Sequence, residues 1–380
     1  MAIIQKGYHS NEDYIDFINY VFGMNGTPSS SFETLLPKLY RKGRKTDKET
    51  YFAIKDDRLV GTVLAYPITF SVNGTPLTVR GIGSVATHPR NRGEGFMKDL
   101  MKAAIDDMIK DDIDLSVLGG RRHRYAHFGF EKCDGMMYFS VSNTTVNYVK
   151  PSREGITMRA VREDDNELLD MLYEKMHQRP YYADRPRADL YDILASWRSR
   201  PYIFFQGDEM VGWAVHYSSK RQLSEFCSLN PSLTQAMVAV AIDTLGNLSI
   251  AVPAHDHVIA GEVDILSEDV HIVSNECFLV FNWQKVLSAL LAFKNSQTPL
   301  VDGSLVITIE GVKGTVTLKL TVKDGKTSVD VTDEAPEITL SQLEAEVFFF
   351  RNYSADRAKV NPQAASWLAL PLFIFEPDNV

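Results

Sequence analysis

The stretch THPRNRGEGFMKDLMKAA, residues 87–104, decides the reading of this chain. It follows an apolar run, VRGIGSVAT, turns at His88-Pro89, and passes arginines and glycines. It then enters a segment where Met97, Leu100, Met101, Ala104, Ile105 and Met108 recur at helical spacing. The pattern predicts a strand, a loop and an amphipathic helix. A loop of the form Arg90-x-x-Gly93-x-Gly95 in that place suits a diphosphate. Amides at a helix N-terminus carry free N–H groups and partial positive charge, glycines let the main chain close on the anion, and nearby arginines add charged donors. On these residues alone, a plain glycine-arginine turn before a helix is an equal alternative. Two other phosphate signatures drop out. Gly-x-x-x-x-Gly-Lys-Ser/Thr is absent. The dinucleotide-type match Gly81-Ile82-Gly83-Ser84-Val85-Ala86 lies in a strand-like run, not in a turn that opens a helix.

At 380 residues, and with roughly 100–200 residues per domain, two or three domains are expected. A formal charge of -9 argues against a nucleic-acid partner and favours cationic substrates. Cys133, Cys227 and Cys277 are far apart and show neither metal spacing nor a disulfide framework, so a reducing compartment is expected. The opening MAIIQKGYHSNEDY turns polar before any apolar core develops, which leaves no secretory signal and an expected cytoplasmic location. The runs VLSALLAF and WLALPLFIF are shorter than the ~18 residues a bilayer crossing needs, so no membrane span is expected.

An internal repeat sets the organisation. YFAIKDDRLVGTVLAY, residues 51–66, and YIFFQGDEMVGWAVHY, residues 202–217, agree without a gap at Tyr51/Tyr202, Asp57/Asp208, Val60/Val211, Gly61/Gly212 and Tyr66/Tyr217. Both read as hairpins with an Asp-containing turn. Each follows a helix-like stretch, marked by Tyr14, Phe17, Ile18 and Val21 in the first copy and by Leu168, Leu169, Leu172 and Met176 in the second. A duplicated α/β domain is expected. From Ser304 the pattern alternates instead, with Val316, Leu318, Leu320 and Val322 on one face and a turn at Asp324-Gly325. A capping box of Ser341 and Glu344 then opens a helix with Leu343, Val347 and Phe350 on its apolar side, so the tail reads as a small α+β unit.

VATHPRNRGEGFMKDLM resembles the acetyl-CoA loop of GCN5-related N-acetyltransferases (GNAT), and RYAHFGF, residues 124–130, resembles that family's Tyr-x-x-x-Gly-Phe segment. The resemblance implies that Ser84, Val85, Ala86 and Thr87 face the pantetheine arm. It further implies that Arg90, Asn91, Arg92, Gly93, Glu94 and Gly95 take the pyrophosphate. No second copy of either motif occurs between Tyr202 and Lys285, so only the first domain is expected to be catalytic. The whole architecture is similar to the enhanced intracellular survival (Eis) group. That likeness implies an α/β (α+β) fold of two tandem GNAT-like mixed-sheet domains, 1–148 and 149–284, then a sterol-carrier-like domain, 285–380. It also implies acetyl-CoA as co-substrate, a small amine acceptor such as an aminoglycoside, and a homo-oligomer, hexameric in some members.

Acetyl transfer to an amine needs a neutral nitrogen, donors at the carbonyl oxygen and a proton for the departing thiolate. Tyr125, a phenol with an ordinary pKa near ~10, stays protonated at neutral pH and can supply that proton. The family's catalytic tyrosine falls on this position, with His127 as a fallback. A base must also take a proton from the amine. In the Eis-like group a terminal carboxylate fills this role, which here is Val380, and the apolar run Trp367, Leu368, Leu370, Leu372, Phe373, Ile374 and Phe375 is expected to anchor it by packing. The group's best-known member ends in an aromatic residue, whereas this chain ends in Asn379-Val380. Arg121, Arg122 and Arg124 read equally well as CoA-phosphate ligands or as surface residues. The acidic run Asp106, Asp107, Asp111, Asp112 and Asp114 reads as a solvated face, with no metal expected. Two alternatives remain: a lipid or sterol-type carrier with relic transferase domains, and a transferase that uses a longer acyl-CoA.

Overall fold

A computed structural model describes residues 3–8, 10–24 and 31–380. Met1, Ala2 and His9 of the polar opening stretch lie outside them. The first part runs β1 (Ile3–Lys6), α1 (Asn11–Gly23), β2 (Thr50–Lys55), β3 (Arg58–Val72), β4 (Thr75–Thr87), α2 (Phe96–Lys110), β5 (Leu115–Gly119) and β6 (Glu131–Lys132). Next come β7 (Met136–Val141), β8 (Ile156–Ala160), α3 (Asn166–His177), β9 (Tyr181–Ala183), β10 (Ser199–Gln206), β11 (Glu209–Tyr217), β12 (Gln222–Ser228), α4 (Thr234–Leu245), β13 (Leu248–Pro253), β14 (Ser267–Val273) and β15 (Glu276–Val280). The tail holds α5 (Trp283–Gln297), β16 (Gly303–Gly311), β17 (Gly314–Lys323), β18 (Lys326–Val331), β19 (Ile338–Ser341) and α6 (Gln342–Phe350).

The two repeat hairpins are β2-β3 and β10-β11. Asp56 and Asp57, at φ 50 and 58, turn the first through the left-handed region that a two-residue hairpin demands. Around these hairpins, two sheets share one order. The first is β1-β2-β3-β4-β5-β15-β6, with β9 beside β3, and the second is β8-β10-β11-β12-β13-β7-β14. In each sheet the fourth and fifth strands make a parallel step, and the sixth strand is borrowed from the other half of the chain. Sheet membership therefore does not follow the divisions expected at 148 and 284: β7 joins the second sheet and β15 the first. Pairing between segments so far apart leaves no local pattern in the sequence.

Alternation along the strands separates two faces of the first sheet. Tyr51, Ala53, Val63, Ala65 and Ile82 pack with Leu100, Met101 and Ala104 of α2. Phe52, Leu64 and Ala86 pack with Tyr14, Phe17, Ile18 and Val21 of α1. The second domain repeats the arrangement, with Leu168, Leu169, Leu172 and Met176 of α3 buried as the spacing predicts.

The third sheet, β18-β17-β16-β19, turns at Asp324-Gly325 and packs Leu318, Leu320 and Val322 against α5. Val316, expected on the same face, is only partly buried. In α6 the expected face is corrected. Leu343 and Val347 are half-buried, while Ala345, Glu346, Phe348 and Phe349 are buried, because the helix lies between the first and third sheets and is covered on more than one side. Glu346 is fully enclosed. Its Oε1 accepts from the Val280 amide (3.1 Å) and from Gln342 Nε2 (2.8 Å), and burial pushes its carboxyl well above the usual 4.5. A carboxyl whose folded pKa is raised stabilises the fold at low pH and loses that contribution as pH rises from about 4.5 through the raised value. The loss amounts to about 1.4 kcal/mol per pH unit. Glu346→Gln keeps the acceptor and removes the titration, so its stability is expected to fall less than that of wild type between pH 5 and pH 8. Parallel denaturant midpoints for the two proteins across that range would exclude this account.

Candidate active site

The site begins where β4 and β5 part. They pair only at Val79/Leu115, Arg80/Ser116 and Gly81/Val117. On its other edge β5 pairs with β15 along its whole length, from Leu115/Val280 to Gly119/Glu276, while beyond Gly81 β4 continues without a partner on the β5 side among the described residues. A bulge sharpens the divergence. Thr62 pairs with Ala86 and Leu64 with Gly83, so Ser84 and Val85 together oppose Val63, with Ser84 at φ 47. Thr62 Oγ1 donates to the Ser84 carbonyl (2.8 Å), and the Ser84 hydroxyl meets that of Tyr40, which meets that of Tyr14 at 3.0 Å.

From β4 the chain enters the Arg-Gly loop. The Arg90 amide donates to His88 Nδ1 (3.2 Å), and Asn91 Nδ2 donates to Glu94 Oε1 (2.9 Å), whose other oxygen pairs with Lys55 at 2.6 Å. Gly93 and Gly95 take φ 86 and 91, a region disfavoured for side-chain-bearing residues, and a Cβ on either would meet nothing within 4 Å. Gly95 is the N-cap of α2, and no side chain caps that helix. Its first-turn amides are thus the orphan donors common to helix N-termini. They border a cleft of about 1200 Å³ lined by Val85, Ala86, Thr87, Asn91, Arg92, Gly93 and Gly95, with Arg121, Arg124 and His127 opposite. Ser84, Arg90 and Glu94 lie outside that lining: Ser84 points to Tyr40, Arg90 is exposed, and Glu94 is tied to Lys55.

The segment RYAHFGF closes the far side of the cleft. Tyr125 is buried, with its ring against Gly120, where a Cβ would stand 2.4 Å from Tyr125 Cε2. Burial pushes its phenol above the usual 10, and Arg124 beside it pulls the other way. The arginine cluster divides. Arg121 and Arg124 line the cleft, while Arg122 forms a two-pronged ion pair with Glu131 at 2.5 Å.

Val380 lies on the opposite face of the sheet. A Cβ on Gly83 would stand 2.9 Å from the Val380 carboxyl carbon, and one on Gly81 would stand 2.7 Å from a Val380 methyl. The discounted glycines of VRGIGSVAT thus make room for another stretch of main chain, the usual use of glycine inside a strand. The tail reaches this place by packing, with Leu370, Leu372, Phe373, Ile374 and Phe375 buried. Polar anchors with no local signal along the chain then fix it. Lys38, buried, donates to the carbonyls of Pro377 (2.6 Å) and Asn379 (2.5 Å), and burial lowers its ammonium pKa to about 7 against the pull of Asp378. Arg185 holds Asp378 with two bonds of 2.7 Å and Glu225 with bonds of 3.1 and 2.7 Å, all three side chains being buried. No local spacing announces such a cluster.

A second cavity of about 570 Å³ opens beside Gly119 and Gly120, lined also by Tyr138, Lys220, Gln222, His271, Asn275, Glu276 and Glu376. The acidic run needs one correction. Asp114 is buried, not solvated: it accepts from the Thr78 amide (2.7 Å) and pairs with Lys285 (2.6 Å), joining β4 to α5.

Comparison with known proteins adds to this geometry. Residues 9–133 match the family described as the acetyltransferase (GNAT) domain. No curated protein sequence matches the chain. Among solved structures it is similar to a conserved protein of Enterococcus faecalis described as a probable N-acyltransferase. That pair is 17% identical with a TM-score of 0.69, covering 98% of this chain and 97% of the other. It is also similar to a GCN5-related N-acetyltransferase of Anabaena variabilis (15%, TM-score 0.69, 99% and 98% covered). Eis1 of Mycobacterium abscessus is similar too (15%, TM-score 0.65, 100% and 99% covered). At such identities the likeness fixes the fold, two tandem GNAT-like halves and a closing unit. The splayed strands and glycine loop described above therefore lie within a GNAT acetyltransferase domain, residues 9–133.

Proposed function

We propose that this chain transfers an acetyl group from acetyl-CoA to a primary amine of a small cationic acceptor, of polyamine or aminoglycoside type. The observation that carries the reading is the parting of β4 from β5 beside an uncapped helix N-terminus and a glycine loop with open space before it. That arrangement fits a pyrophosphate, with the amides of residues 93–98 as donors, Arg92, Arg121 and Arg124 as counter-charge, and the unpaired edge of β4, Ser84 to Thr87, beside an extended pantetheine arm. When bound, acetyl-CoA supplies the thioester carbonyl that the amine attacks. The residues of the chain then divide the proton work across the sheet. Tyr125, on the α2 face and held in its protonated form by burial, gives a proton to the departing thiolate. The Val380 carboxylate, on the opposite face against Gly83, takes one from the attacking nitrogen. The net charge of -9 and the carboxylates Glu276 and Glu376 around the second cavity favour a cationic acceptor. In this reading residues 1–148 supply the chemistry and 149–284 the scaffold, since the loop before α4, Pro231–Leu233, has no glycine. Residues 285–380 deliver the carboxylate.

The direct test is CoA release from acetyl-CoA, against palmitoyl-CoA, with spermidine, kanamycin and a lysine peptide as acceptors. Release with acetyl-CoA and a small polyamine or aminoglycoside is expected. Faster turnover of the long-chain donor would replace acetyl transfer by transfer of a longer acyl group, and no release with any amine would end the reading.

A further inference from the structure

Glu276 has no part in the proton transfers assigned above, where it only adds negative charge to the second cavity. It pairs directly with Gly119 across β15 and β5, and a Cβ on Gly119 would stand 3.1 Å from Glu276 Oε2. Side chains alternate along a strand. Gly119 lies two residues beyond Val117, and Gly83 lies two beyond Gly81, the register partner of Val117. Glu276 and Val380 therefore occupy one face of the sheet on either side of the split, with Asn379 between them, while Tyr125 under Gly120 lies on the other face. The side chain of Glu276 is part-buried and lines the second cavity, and its Oε2, shielded from solvent, has no hydrogen-bond partner. Asp134 pins the strand above it, accepting from the Glu276 amide at 3.0 Å.

Proton bookkeeping gives a second carboxylate a task. An acceptor arrives as an ammonium ion and leaves as an amide, so its nitrogen loses one proton before attack and one after it; of these, one restores Tyr125 once the thiolate has left and the other is released to solvent. Resting on the acetyl-transfer reading, we propose that Glu276 receives the acceptor's ammonium group and takes its first proton. The N–H bond breaks to leave the neutral amine, an O–H bond forms on Glu276, and the proton later passes to solvent through the cavity. The second proton is left to Val380. A base for this step must titrate near the working pH, and burial together with Glu376 raises Glu276 to about 7. A hydrogen bond from Asn379 works against that rise, and the other groups facing Glu276 are Asp134, itself raised to about 8, Lys132, Lys220 (paired with Glu376 at 2.9 Å), His271, Tyr138 and Cys277.

The test compares wild type with Glu276→Gln and Glu276→Asp, using spermidine and kanamycin as acceptors between pH 5.5 and 9. In wild type kcat/KM is expected to fall with slope one below about pH 7. Glu276→Gln should lower kcat/KM at pH 8 about 10²-fold and abolish that limb, and Glu276→Asp should restore part of both. Acetyl-CoA affinity and melting temperature should stay near the wild-type values in each variant. A second readout does not depend on turnover. Calorimetry of spermidine binding at pH 6.5 in buffers of different ionisation heat should show proton release in wild type and none in Glu276→Gln. Wild-type kinetics and proton release retained in Glu276→Gln overturn this inference and leave the transferase reading intact. A wild type that releases no CoA with any amine overturns the transferase reading itself, and this inference with it.

Discussion

Tyr125→Phe is expected to lower kcat for amine acetylation by about 10²- to 10³-fold, while acetyl-CoA affinity stays within about twofold of wild type. The substitution removes one oxygen and nothing else. The ring keeps its contact with Gly120 and its place in the core shared with Leu118, Phe130 and Leu279. What is lost is a proton donor. Burial pushes the phenol above its usual 10, so at neutral pH it carries the proton that a departing thiolate needs, and in the variant that proton must come from water. Single-turnover release of CoA, measured beside equilibrium binding of acetyl-CoA, separates the two effects. An unchanged turnover rate would remove Tyr125, which is buried behind the cleft lining, from the chemistry and return attention to His127, which lines the cleft itself.

The second large effect concerns the other end of the chain. Adding several residues after Val380 is expected to reduce activity by about 10²-fold while the melting temperature shifts little. The carboxyl carbon of Val380 lies where Gly83 leaves space for it, and an amide in its place has no negative oxygen to take a proton. The anchors are upstream and are untouched by an extension. Lys38 grips the Pro377 and Asn379 carbonyls, and Arg185 grips Asp378. Cleavage of the extension at a protease site placed immediately after Val380 should restore the rate. Full activity with the extension in place would refute a base at this position.

Some of the site was legible in the sequence because its chemistry is local. Pro89, Arg92, Gly93 and Gly95 all stand in the short loop directly ahead of the helix at Phe96, and the glycines at φ 86 and 91 carry no side chain beside its first amides. The same holds for the Asp-containing turns of the repeated hairpins and for the buried faces of α1 and α3. Asp114 and α6 misled, each for a tertiary reason. One is buried at the junction of β4 and α5, and the other lies between two sheets, so neither shows solvent the face its own pattern implies.

Sequence by itself determined the duplicated α/β plan, the alternating tail and the glycine loop ahead of α2, since each rests on spacing within one or two adjacent elements. Tertiary structure decided which strand completes which sheet, that Val380 lies on Gly83, and that Lys38, Arg185 and Asp378 hold it there. It also brought Glu276 to the same face of the split. Those contacts join residues hundreds of positions apart, and what selects them is the closure of one buried core around β4, β5 and β15. Burial of that kind depends on which surfaces meet and leaves no periodic trace along the chain.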